Sequence, residues 1–212
     1  MSDERRGLLY GAAAYLLWGI FPLYFPLLEP AGPLEILANR IVWSLVVVAL
    51  LLAVRRQWAW LRPLTRDRRR LLLLSGAAVA IALNWGTYIY GVNSNQVVET
   101  SLGYFINPLV SVMFGVMLLN ERLRRMQWSA VALGAFAVLV LAIDYGRLPW
   151  IALILAFSFG TYGLLKKTTD MGSLESLTVE TGLLFLPALI FLVYLNIQGS
   201  SALQQEGAAQ AA

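Results

Sequence analysis

The stretch Glu99–Trp128, ETSLGYFINPLVSVMFGVMLLNERLRRMQW, decides the fold. Its segment 101–120 carries no charged residue, and Arg122, Arg124 and Arg125 follow directly. About 20 apolar residues in helical form cross the roughly 30 Å of hydrocarbon in a bilayer. A segment exposed to lipid must also satisfy its own backbone hydrogen bonds, which predicts a transmembrane helix here. Working outward, similar runs predict seven spans at about 7–28, 34–54, 71–92, 97–119, 127–144, 149–165 and 176–197. A β-barrel is excluded, because its strands are about 10 residues long and alternate in polarity. The fold class expected is all-α, a polytopic transmembrane helical bundle.

Composition agrees. The 212 residues are 59% apolar and 13% charged, where a soluble domain carries about a quarter charged residues. One water-soluble core of this length cannot bury so much apolar side chain. The chain has no Cys and no His, which removes disulfides, thiolate and imidazole metal sites, and the commonest general base. No catalytic residue, metal site or cofactor is therefore expected, no phosphate-binding loop is present, and the chain is read as a non-enzyme. Met1–Arg6 followed by an apolar run superficially resembles a signal peptide. The run is long, lacks a small-x-small cleavage site and leads into further spans, so it is read as a retained first span.

The basic residues orient the bundle. Arg5 and Arg6 precede the first span, seven arginines between Arg55 and Arg70 follow the second, Arg122, Arg124 and Arg125 follow the fourth, and Lys166 and Lys167 follow the sixth. Arg147 alone falls on the opposite side, and Arg40 lies within a span. By the positive-inside rule the N-terminus, residues 1–6, is cytoplasmic, in a multi-pass protein of the cytoplasmic membrane. The net charge of +4 is thus topogenic, and a nucleic-acid partner is not expected. Residues 198–212 are small and polar without periodicity, and are read as a disordered tail or an unfinished loop.

Several residues break the apolar pattern. Arg40 lies six residues beyond Leu34, about 9 Å along the helix, where an intramembrane charge costs at least about 2.5–3.5 kcal/mol. It must contact an anion in a pathway, snorkel to the interface, or pair structurally with Glu180 or Glu99. Those two carboxylates could carry protons if desolvation raised their pKa values, or could be interfacial charges near helix N-termini. Glu99, Gly103 and Asn107 share one helical face, flanked by Thr100 and Tyr104. Pro108 disturbs the carbonyl of Tyr104, so this helix is read as pathway lining or as a kinked packing helix. Ser111 and Gly115 permit close helix approach. Asn84, Trp85 and Tyr88 form a polar-aromatic band, and Tyr15, Trp18 and Tyr24 form another, where Gly19, Pro22 and Pro26 invite bending. Such bands suit amphiphilic cations or amino-acid-like solutes, or else an interfacial aromatic belt. Tyr24 is assigned to the belt. The pathway candidates are Trp18, Arg40, Asn84, Glu99, Tyr104, Asn107, Pro108 and Glu180.

Segment 155–180 can be laid on 14–40 at an offset of 140–141 residues. Trp18-Gly19 then falls on Phe159-Gly160, Leu34-Glu35 on Leu174-Glu175, and Arg40 on Glu180. WGIFPLYF in the first span, PLEILANRIVWS in the second and the Glu99–Trp128 block resemble the drug/metabolite transporter superfamily, specifically EamA-domain permeases of the RarD type. The Asn-Pro within a small-residue helix and the Glu121-Arg122 pair before a basic loop carry that resemblance. Glu121-Arg122 is itself read as a local structural ion network. The resemblance implies ten helices in two inverted five-helix repeats. Residues 7–144 would form the first repeat, and 149–197 the first two helices of an incomplete second one.

The expected function is carrier-mediated movement of a small organic solute by alternating access, with export the commoner family role. The partners expected are that solute, the lipid bilayer and a second copy of the chain. The rival reading is a non-transporting membrane scaffold or assembly subunit that needs partner helices.

Overall fold

Local chemistry starts and stops each helix. The computed structural model describes residues 3–169 and 171–202. The first helix, α1 (Asp3–Tyr24), ends where Pro22 and Pro26 interrupt the backbone ladder, and Phe25–Leu28 continues as a 3-10 turn. The expected first span is therefore two elements, because Pro26 has no N–H to donate. Pro33 at the first helical position opens α2 (Pro33–Arg55), which closes on Arg56 in the left-handed conformation. The arginine-rich connection holds the short α3 (Leu61–Arg66). Asp67 then caps α4 (Arg68–Asn93) by accepting from the Arg70 backbone N–H at 3.0 Å. The remaining helices are α5 (Val97–Leu118), α6 (Arg125–Asp144), α7 (Trp150–Thr169) and α8 (Ser173–Ile197).

All seven expected spans are helices. Six of them, all but α7, are long and apolar enough to cross a membrane. The exception has 20 residues but carries Gly-Thr-Tyr-Gly in its middle and Lys166 and Lys167 in its last turn. Those small and polar groups are used for packing. It lies in the groove between α4 and α5, and these are the most extensive helix contacts in the protein. Gly103 on α5 sits so close that an added Cβ would meet Leu155 Cβ at 2.9 Å, and one on Gly160 would meet Val110 Cγ1 at 2.8 Å. Small residues let the helix backbones approach in this way. The next contact pairs α2 with α8.

Polar bonds fix α7 along its length. At its start, the fully buried carboxylate of Glu99 accepts from the Ile151 backbone N–H at 2.8 Å and from the Tyr145 hydroxyl at 2.6 Å. Tyr145 in turn accepts from Arg147 at 2.7 Å, and this hydrogen bond holds the Arg147 guanidinium above its ordinary pKa. In its middle, the Asn84 amide donates to the Leu155 carbonyl at 3.0 Å and to Ser158 Oγ at 3.1 Å. At its end, Lys166 pairs with buried Glu180 at 3.3 Å, and Lys167 pairs with Glu121.

The other flanks are bare. The apolar window of α1 is 6% buried within the protein and that of α6 0%, against 44% for α4. Residues 198–202 form a turn after α8. Gly199 takes φ +67°, and Ser200 N–H returns to the Leu195 carbonyl at 3.1 Å. Ala202 N–H then donates to Glu35 at 3.1 Å. The remaining tail, 203–212, lies outside the described residues.

Two consequences are measurable by thermal unfolding in detergent. Gly160→Leu overpacks the α5–α7 contact and should cost about 1–3 kcal/mol, whereas Gly19→Leu, whose added Cβ meets nothing within 4 Å, should leave the midpoint unchanged. Glu99→Ala leaves the Ile151 N–H without its acceptor and should cost about 1–3 kcal/mol.

Candidate functional site

One face of α2 carries Ile36, Arg40, Trp43 and Val47, at the spacing that brings residues to one side of a helix. That face lines a cavity of about 790 Å³. The facing wall comes from Phe21 at the end of α1 and from Phe25 and Leu28 in the 3-10 turn; Leu177 of α8 and Ala202 complete it. The volume falls within the range of roughly 300–1,000 Å³ usual for small-molecule sites, and the mostly apolar wall is typical of them.

Arg40 is the cation of this cavity. Its guanidinium lies 4.1 Å from the Trp85 ring centroid and 5.6 Å from that of Phe21. Stacking on an aromatic face stabilises a guanidinium without consuming its in-plane N–H donors. Tyr88 and Tyr104 lie within electrostatic range of the same charge, and their rings meet edge to face at 6.0 Å. Tyr88 also touches Phe25 at 6.1 Å, and Phe25 stacks on Phe21 at 5.6 Å. Three other helices, α1, α4 and α5, thus bring aromatic rings around one side chain.

Among the described residues no carboxylate pairs with it. The ion pairs among the described residues are Arg70–Asp67, Arg147–Glu99, Lys166–Glu180 and Lys167–Glu121. Both partners proposed for Arg40 from sequence are therefore engaged elsewhere, and the structural pairing of Arg40 with Glu180 or Glu99 is overturned. Its guanidinium makes no hydrogen bond to a described residue.

The remaining candidates separate by position. Tyr104 joins the Arg40 group through Tyr88. Trp18 is half exposed, packs edge to face on Tyr15 at 5.7 Å and is not in the cavity wall. Asn84 spends its amide donor on α7. The face holding Glu99 and Gly103 is covered by α7, with Asn107, which accepts from Ser111 at 3.5 Å, half buried beside it. Pro108 is exposed on the far side of α5. Glu180 is buried among Ser176, Tyr162 and Lys166. Gly115 meets not a second helix but the Glu121 carboxylate, which folds back over the end of α5.

Sequence reasoning passed over Glu35, Asn39 and Trp43 in the cavity wall. For Asn39 and Trp43 the signal was available, since both lie within a turn of Arg40, whereas Glu35 lies five residues before it. Among the described residues no group of three or more His, Cys, Asp or Glu could hold a metal ion.

The EamA-like transporter family model matches residues 5–143. The chain is 58% identical over 210 residues to protein RarD of Streptomyces exfoliatus, covering 99% of this chain and 67% of that one. It is 45% identical over 193 residues to an uncharacterized transporter of Pseudomonas aeruginosa, covering 91% and 65%. With protein RarD of Escherichia coli the identity is 41% over 204 residues, covering 96% and 69%. The chain therefore spans about two thirds of the length of these relatives. No solved structure matches it. With seven long helices among the described residues, six of them suited to a membrane, and relatives of this kind, the chain is a multi-pass membrane protein that belongs to the EamA-like transporter family, in the company of RarD-type permeases.

Proposed function

We propose that this protein is a carrier that moves a small organic solute, drug-like or amino-acid-like, across the cytoplasmic membrane by alternating access, in the direction of export. The observation that carries the reading is Arg40, a cation held on Trp85 inside a cavity of about 790 Å³ and paired with no carboxylate among the described residues. A charge so placed is costly unless a ligand, water or a partner meets it. The aromatic rings around it come from three other helices, α1, α4 and α5. The N-terminus is assigned to the cytoplasm by the arginines of alternate loops.

Two inverted repeats supply the architecture for such a cycle. Gly32 and Gly172 are both extended N-cap residues, and each is followed by Leu-Glu at the second and third helical positions. This favours matching α2 with α8 and α1 with α7. The matched glycines then behave differently: Gly160 is pressed against Val110, while Gly19 has open space around it. That difference supports a reading in which α1 belongs in a groove like the one α7 occupies, formed by helices of a second repeat.

The carrier reading is tested by counterflow. Vesicles containing the protein are preloaded with one member of a panel of unlabelled amino acids, aromatic acids and chloramphenicol, and uptake of the labelled form is followed. The expected result is saturable, trans-stimulated uptake of at least one member, reduced about tenfold or more by Arg40→Gln as a charge-assisted contact is lost. Stoichiometric co-purification of one membrane partner, with no flux of any member, would instead favour the scaffold reading.

A further inference from the structure

The same cavity carries a second charge. Glu35 lies in its wall, 9% exposed, five residues before Arg40 on α2. Five helical residues rise about 7.5 Å. The two side chains line one space without pairing with each other. Glu35 Oε1 accepts from the Ala202 N–H at 3.1 Å, and Oε2 has no hydrogen-bond partner among the described residues. The cavity thus presents a guanidinium at one point, a carboxylate oxygen at another, and an apolar and aromatic wall between and around them.

A ligand with only an anionic group would satisfy Arg40 but be repelled by Glu35. An organic cation would suffer the reverse. A buried charge left unmatched costs more than a matched pair returns, so a solute that fits both points must itself carry both signs. We propose that the cavity is a zwitterion site: Arg40 binds the anionic group of the ligand, Glu35 its ammonium group, and Trp43, Phe21 and Phe25 take up an apolar body. A hydrophobic amino acid has this chemistry, and so does the headgroup of phosphatidylethanolamine. The inference rests on the carrier reading only for what happens after binding; the head-group pattern stands or falls by itself.

Three probes with one body separate the charges: phenylalanine, 3-phenylpropionate, which lacks the amine, and phenethylamine, which lacks the carboxylate. Binding is followed by quenching of tryptophan fluorescence, with the protein in nanodiscs of phosphatidylglycerol alone or with phosphatidylethanolamine. The wild-type protein should bind phenylalanine about tenfold or more tightly than either single-charge probe, the scale of one charge-assisted contact. Arg40→Gln should erase the advantage of phenylalanine over phenethylamine, and Glu35→Gln its advantage over 3-phenylpropionate. This crossed pattern is not produced by a general loss of folding.

If phosphatidylethanolamine suppresses phenylalanine binding and does so only while Arg40 and Glu35 are intact, the zwitterion site stands and its occupant is the lipid headgroup. Equal binding of the three probes by the wild-type protein, or loss of all three to the same degree in both variants, overturns it. So does failure of every probe to bind in both lipids. Flux without the crossed pattern would leave the carrier reading and remove this one. The crossed pattern without flux would do the opposite.

Discussion

The structure depends on the seating of α7 between α4 and α5. Glu99 on α5 accepts the Ile151 N–H at the start of α7, and Asn84 on α4 donates to Leu155 and Ser158 further along it. These bonds fix how far α4 and α5 are rotated about their own axes. The residue after Asn84 is Trp85, and the residue after Gly103, which touches α7, is Tyr104. One residue is a turn of about 100°, so pinning one side chain to α7 aims its neighbour away from it. Trp85, beside the Arg40 guanidinium, and Tyr104, within its electrostatic range, are the neighbours so aimed.

The charged residues accordingly divide into two kinds. Glu99, Glu180, Lys166, Lys167 and Arg147 are used up in holding helices together. Their bonds tie α5, α7, α8 and the connections at both ends of the bundle into one body. Arg40 is left as a charge within the membrane region, stacked on Trp85 and paired with no carboxylate among the described residues. Under the proposed carrier function such a charge has a use, since a transported ligand must find its counter-group inside the bilayer without being trapped there by an existing pair.

Much of this was legible in the sequence, for physical reasons. Hydrocarbon imposes length and polarity so strongly that the span boundaries differ from the helix ends by only a few residues, as at Val97–Leu118 and Arg125–Asp144. Arg40 stood out because a guanidinium in an apolar run must be accounted for energetically. What was not legible were the partners. The acceptor role of Glu99 involves a backbone N–H far along the chain, and no side-chain pattern announces a backbone donor. Glu35 drew notice only as part of the Leu34-Glu35 pair of the repeat. Its place in the cavity wall arises only when the turn after α8 brings Ala202 alongside. Trp18 was placed by depth alone, which does not say which way a helix faces when few contacts hold it.

The central claim is that Arg40 is an uncommitted positive charge in a space that solutes reach. The chain contains no cysteine, so a single Ser44→Cys substitution, one turn from Arg40 in the cavity wall, reports on that space alone. The measurement is its rate of modification in membranes by a sulfonate-bearing and by a trimethylammonium-bearing methanethiosulfonate. The account predicts that both react, that the anionic reagent reacts faster, and that adding Arg40→Gln removes its advantage. A thiol that neither reagent reaches, or one that both modify at the same rate with Arg40 present, would contradict it.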